Sequence, residues 1–129
     1  MHWASQYVGQ KWTENSDCFY WYRRIKREVF GRDVPICEVD HGRLVSSAAR
    51  IMDSDITGSF GYRKTETARE GDAVFMSQRT RPHHLGMAVI LTSGLHVLHA
   101  LEGSGVICSD MTDLKLNGWT INGYWTDED

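Results

Sequence analysis

The chain has 129 residues, 41% of them hydrophobic and 24% charged, which suits one packed domain spanning residues 1–129 and excludes general disorder. A net charge of −3 excludes a protein built mainly to neutralise nucleic-acid phosphates. Three cysteines cannot form a fully paired disulfide framework within one chain, so at least one thiol is expected to stay free unless it pairs between chains.

Met1 is followed directly by His2 and Trp3 and soon by polar residues, with no basic segment leading into an apolar one. No secretory signal is therefore expected. The longest apolar run, Met87 to Leu91, is far short of a membrane span. The expectation is synthesis and folding in a reducing cytoplasm, where thiols stay reduced, or export by something other than a signal of its own.

Ala4 to Val8 reads as a short helix or turn, and Gly9 and Thr13-Glu14-Asn15-Ser16 break the pattern after it. From Asp17, Phe19, Tyr22, Ile25 or Lys26, Val29 and Phe30 recur every three or four residues, which predicts an amphipathic helix. Ser16 or Asp17 is its N-cap and Gly31 its stop. Arg23, Arg24, Lys26 and Arg27 fall on the face expected to be solvated, and Pro35 closes the unit. Val45 to Met52 is compatible with a further helix. Glu70-Gly71-Asp72 is a turn signal before a short buried strand, Ala73 to Met76, and Ser77 to Pro82 is a polar loop carrying Arg79 and Arg81. Leu85 to Leu91 and Leu95 to Leu101 read as strands joined by a tight turn at Thr92-Ser93-Gly94. Gly103-Ser104-Gly105 breaks the pattern, Val106 and Ile107 resume it, and Trp119 to Trp125 is a last strand before an acidic tail. Helices first and then an antiparallel sheet is an α+β pattern.

Cys18 lies in the first turn of the predicted helix, where the partial positive charge of the helix start favours a thiolate. A small buried hydrophobe is the alternative fate of such a residue. A thiolate needs a proton acceptor, and strand parity narrows the candidates. If Ser93-Gly94 is a two-residue turn, Thr92 faces Leu95, and His84, Gly86, Ala88 and Ile90 share a face with Leu95, Val97 and His99. His83 and His96 fall on the other face. His84 and His99 then meet on one side of the hairpin, and a helix carrying Cys18 across that side completes a Cys-His-His triad. Two other readings stay open: histidines hydrogen-bonded within the sheet, and a zinc site shared with Cys18. The spacing is not a known structural zinc pattern, and no second cysteine lies near Cys18.

Tyr7-Val8-Gly9-Gln10-Lys11-Trp12, Asp17-Cys18, Phe30-Gly31 and Val34-Pro35 together resemble the nucleophile segment of the NlpC-type bacterial cell-wall cysteine peptidases. Glu70-Gly71-Asp72-Ala73-Val74-Phe75 and His84-Leu85-Gly86-Met87-Ala88-Val89 are similar to that family's Gly-Asp strand and its His-Val-Gly-Ile strand. Val97-Leu98-His99-Ala100 with Gly103-Ser104-Gly105-Val106 resembles its His-Ala strand. Ile121-Asn122-Gly123-Tyr124-Trp125 is similar to the ending of the branch found in phage tails and phage cell-wall peptidases. The resemblance leaves residues 36–67 uncovered.

The resemblance implies a papain-like core, with an N-terminal nucleophile helix packed on a central antiparallel sheet. In it Cys18 attacks a peptide carbonyl, His84 accepts and returns the proton, and His99 holds the imidazole. It implies cleavage of peptidoglycan stem peptides between D-glutamate and the diamino acid, with Asp17 recognising the substrate's N-terminal side and Trp12 lining the cleft. Asp17 serves equally as a helix cap, and Trp12 equally as a core aromatic. Neither cofactor nor metal is expected. The partners implied are stem peptides and phage tail proteins, not nucleic acid or membrane. The chain departs from the family's pattern at Phe19-Tyr20, where many members have Ser-Gly, at Asn15-Ser16 in place of Gly-Gly, and at residues 36–39, which lack an Arg-x-Ser segment. Arg79 and Arg81 suit substrate carboxylates or a solvated loop, and Cys37 and Cys108 are expected to be inert. A catalytically silent tail component, and an amidase or acyltransferase on the same core, are the alternative functions.

Overall fold

A computed structural model describes residues 2–34, 61–79 and 84–127 of the chain. The segment Val45 to Met52, together with Pro35, Cys37, Arg81 and His83, lies outside the described residues.

A short 3₁₀ helix, Trp3–Gln6, precedes the predicted amphipathic helix, which forms as α1 (Cys18–Phe30). Asp17 is its cap. The Asp17 carboxylate accepts the Tyr20 N–H at 2.8 Å, satisfying one of the donors that every helix start leaves unpaired. Ser16 instead exchanges backbone hydrogen bonds with Thr13, closing a turn just ahead of the helix. At the other end Gly31 takes a left-handed conformation with φ of 67° and returns its N–H to the Arg27 carbonyl.

Six strands follow: β1 (Arg63–Thr65), β2 (Ala73–Ser77), β3 (His84–Leu91), β4 (Gly94–Leu101), β5 (Gly105–Asp110) and β6 (Thr120–Thr126). They form one sheet in the order β1-β6-β2-β3-β4-β5, with every neighbouring pair antiparallel. A second helix, α2 (Met111–Leu116), connects β5 to β6. The chain is thus α+β, as the pattern predicts, with β1 and α2 beyond what the sequence reading identified. α2 has a sequence cue in Asp110 and Asp113, which bond reciprocally to each other's backbone as a capping box.

The β3–β4 turn differs from expectation by one residue. Leu91 pairs with Gly94 and Ile90 with Leu95, so Thr92 and Ser93 make the turn. The partner of Leu95 therefore moves two places, from Thr92 to Ile90, and a shift of two leaves each side chain on its own face.

The sheet has an apolar cluster on each face. On one, Trp21, Tyr22 and Ile25 of α1 pack on Phe75, Leu85, Met87, Val89, Leu98 and Ala100. On the other, Leu114 of α2 and Trp119 pack on Val74, Met76, Ala88 and Val97. The α1 helix thus covers the odd-numbered residues of β3, whereas His84 and His99 share the face of Ala88 and Val97. This corrects the expectation that the helix crosses the histidine side of the hairpin. The odd positions Leu85, Met87 and Val89 supply larger apolar side chains than Gly86 and Ala88, and the helix follows them.

Lys26 is the second correction. Expected on the wet face, it is only 2% exposed. Its ammonium donates to the Gly71 carbonyl at 3.1 Å and to Asp127 Oδ1 at 2.9 Å, while Arg32 donates to the Asp127 carbonyl at 2.9 Å. Beside it the Tyr22 hydroxyl meets the Tyr62 hydroxyl at 2.9 Å. A buried charge persists only when paired and hydrogen-bonded, and this one is both. Among the described residues no helix is long and apolar enough to cross a membrane.

Lys26→Ala leaves the nearly buried Asp127 carboxylate with Arg32 alone, 3.5 Å from Asp127 Oδ2, and is expected to lower unfolding stability by about 2 kcal/mol in urea denaturation. Arg24→Ala, which removes the exposed i,i+4 pair with Glu28, is expected to cost clearly less. Equal costs would overturn the structural role given to Lys26.

Candidate active site

β3 begins with His84, and β4 runs antiparallel beside it, so His99 arrives within reach of the first residue of β3. Their rings meet at 2.9 Å, His84 Nε2 to His99 Nδ1. Gly86 makes the approach possible. A Cβ there would lie 2.4 Å from Val97 Cγ1 and 3.2 Å from His99 Cβ, closer than packed atoms tolerate. The far nitrogen of His99, Nε2, lies 3.1 Å from the Ser109 hydroxyl on β5. Trp119 stacks on His84 with centroids 4.6 Å apart and planes at 24°, and sets its edge to His99 at 5.9 Å. The indole roofs the hydrogen bond between the rings and keeps water from it. Ser109 and Trp119 escaped the sequence reading: a serine on a strand and a tryptophan before one carry no motif.

Burial decides the protonation of His99. It is 3% exposed, and desolvation pulls its pKa down to about 4. Near neutral pH it is an uncharged imidazole with one proton, suited to orienting a neighbouring ring.

Cys18 is the first residue of α1 and joins the core on the opposite face of the sheet. The amides of Leu85, Phe19 and Cys18 itself direct their N–H groups at its sulfur, each favouring the thiolate. Burial outweighs them: the side chain has little water, the Asp17 carboxylate adds repulsion, and the thiol is pushed up to about 12. This corrects the expectation of a thiolate set by the helix start alone. The resting thiol carries its proton, and attack requires a base. The Leu85 N–H belongs to the peptide group that immediately follows His84, so the nucleophile candidate and the histidine pair converge on the start of β3 from its two sides.

Asp17 caps the helix through Tyr20, as one of its two expected roles requires. Trp12 packs at the margin of the α1-side core and, with Gly9, Gln10, Lys11 and Gly103–Gly105, lines an open groove of about 260 Å³. The Trp21 indole holds this loop to α1 by donating to the Lys11 carbonyl at 3.2 Å. His96 occupies the other face, as parity requires, with its Nδ1 3.0 Å from the Gly94 carbonyl. Arg79 is exposed, and Cys108 is half-buried against the α1-side core. Among the described residues no three His, Cys, Asp or Glu side chains converge in a way that could hold a metal ion. No protein-family model matches the chain, and no curated protein sequence matches it.

Two measurements check these environments. With iodoacetamide at pH 8 on the folded protein, Cys108 is expected to be alkylated before Cys18, as read by peptide mass; faster reaction of Cys18 would show that its sulfur is ionised at rest. For His99 the sign follows from its lowered pKa. Between about 6.5 and 4 the unfolded chain binds a proton that the folded chain does not, so stability falls as pH drops through that window, by about 3 kcal/mol in full. Asp72, whose carboxyl is raised by burial, acts in the opposite sense. The difference between wild type and His99→Asn in urea midpoints from pH 7.5 to 4 isolates the His99 part, and parallel curves would refute it.

Proposed function

We propose that this chain is a cysteine peptidase with a papain-like core that hydrolyses peptidoglycan stem peptides, at the bond between D-glutamate and the diamino acid, and that it serves a phage tail. The buried, Trp119-roofed hydrogen bond between His84 and His99 carries this reading. It places two imidazoles in series at the strand end that receives the helix-borne thiol, an arrangement that supports acyl transfer. The bond and the phage setting rest on the sequence resemblance.

The neutral thiol shapes the mechanism. His84 removes the Cys18 proton as the sulfur bonds to the substrate carbonyl carbon, so charge forms only as it is used. Cys18 and His84 lie on opposite faces of the sheet, so in this mechanism the proton passes around the start of β3. The resulting imidazolium is supported by the Trp119 face and by the hydrogen bond to neutral His99. The Cys18 N–H, which faces the sulfur at rest, would turn to the carbonyl oxygen as it becomes an oxyanion. The C–N bond then breaks, His84 returns its proton to the leaving amine, and water attacks the acyl-sulfur bond. In that step His84 takes the water's proton, and the departing sulfur regains it.

A second reading, a catalytically silent tail component, draws on the burial of Cys18, which is 7% exposed. Incubation with purified peptidoglycan and mass spectrometry of the released fragments separates the two. Release of peptide fragments is expected from the wild type and from His96→Ala, with a loss of at least about 100-fold in Cys18→Ala and His84→Ala. Equal release by wild type and Cys18→Ala overturns the mechanism, and no release by any of them favours the silent component.

A further inference from the structure

The N-terminal segment is held by a histidine that the candidate active site does not use. The 3₁₀ turn Trp3–Gln6 begins at His2, whose Nδ1 accepts the Ala4 N–H at 3.0 Å and so caps the turn. Its other nitrogen, Nε2, is hydrogen-bonded to the Glu70 carboxylate, which also accepts the Trp3 indole N–H at 2.9 Å. We propose that His2 is a proton-operated latch: uncharged, it caps this turn, and protonated, it gives up the cap and keeps Glu70 alone.

A backbone N–H can only donate, so the Ala4 contact requires a lone pair on His2 Nδ1. A neutral ring with that lone pair carries its proton on Nε2, and an ionised Glu70 can only accept it there. One neutral tautomer satisfies both contacts, and the other satisfies neither. A second proton has only Nδ1 to go to. Nδ1 and the Ala4 N–H then face each other as two donors, and the ring must leave one of its partners. The partner lost is the Ala4 N–H, because the bond to Glu70 becomes an ion pair and strengthens. Imidazoles as a class change charge between about pH 8 and 5, where a glutamate side chain is ordinarily ionised.

Among the described residues, Glu70 is the charged group bonded to His2. Arg69 and Asp72 share its turn, and α1 brings Lys26 over the Phe30 ring and Glu28 to the Tyr7 hydroxyl. The capped turn seats Trp3 edge-on against Phe30 and places Ala4 and Tyr7 in the α1-side core. It runs on into Gly9 and Gln10, which exchange backbone hydrogen bonds with Val106 of β5. Acidification therefore loosens the start of this strap while Glu70 keeps it tethered.

The test uses the full chain and no substrate, so its outcome is separate from that of the peptidase reading. His2→Asn is the control, because its side-chain oxygen replaces Nδ1 as the cap and binds no proton. Imidazole nitrogen–proton correlation spectra at pH 7.5 are expected to show His2 protonated at Nε2. Between pH 7.5 and 5 the Ala4 amide signal is expected to move with the same midpoint as the His2 ring signals. Its exchange with solvent, corrected for the intrinsic effect of pH, is expected to rise about fivefold. In His2→Asn the Ala4 signal and its protection are expected to hold, since the carboxylates nearby are common to both proteins. A neutral His2 protonated at Nδ1, an Ala4 signal that does not follow the His2 titration, or equal movement in wild type and His2→Asn overturns the proposal.

Discussion

Everything in this molecule depends on how α1 is held against the sheet, and a lysine without water fixes where it sits on its apolar footing. Lys26 joins the helix to the Gly71 carbonyl at the turn before β2 and to Asp127 just beyond β6, positions far apart in the chain. Burying an ammonium is costly, and the cost is offset only where both acceptors are in place. The contact therefore specifies one docking of the helix better than apolar packing alone would. Tyr22 and Tyr62 extend the same polar seam, the Tyr22 hydroxyl also reaching the Gly71 carbonyl at 3.3 Å. With its last two turns secured, the helix delivers its first residue, Cys18, to the amide of Leu85 at the start of β3.

The site draws its parts from both faces of one strand. Leu85 belongs to the side that α1 covers, and His84 to the side roofed by Trp119. Alternation along β3 keeps such groups on opposite sides, so the proposed proton transfer has to pass around the start of the strand. Gly86 allows the histidine pair to close, because any side chain there would occupy the space of Val97 and His99. The Gly two places after His84 is thus a packing requirement of the pair, which gives a physical meaning to the His-Leu-Gly spacing.

Burial sets the electrostatics in a direction opposite to the one a helix start suggests. The same removal of water that keeps His99 neutral also keeps the Cys18 thiol protonated. A buried thiol of this kind is inert until a base takes its proton, so the proposed peptidase would use concerted transfer rather than a standing thiolate. In the proposed mechanism the histidine chain meets that need: one imidazole exchanges the proton and a second, uncharged, holds its orientation.

Much of this was legible in the sequence. The three- and four-residue periodicity after Asp17, with a cap before it and Gly31 after it, defined α1, because those signals are local to the backbone they control. Parity alone put His84 and His99 on one face, and it survived a one-residue misplacement of the turn because sidedness in a strand repeats every two residues. What tertiary structure decided is of another kind. Which face of the sheet α1 would cover, that Lys26 would be buried, that Ser109 and Trp119 would surround the histidine pair, and that Cys18 would lose its charge all depend on partners remote in the chain. Periodicity and capping are properties of neighbouring residues, whereas burial, pairing and pKa belong to contacts that exist only after the chain has folded.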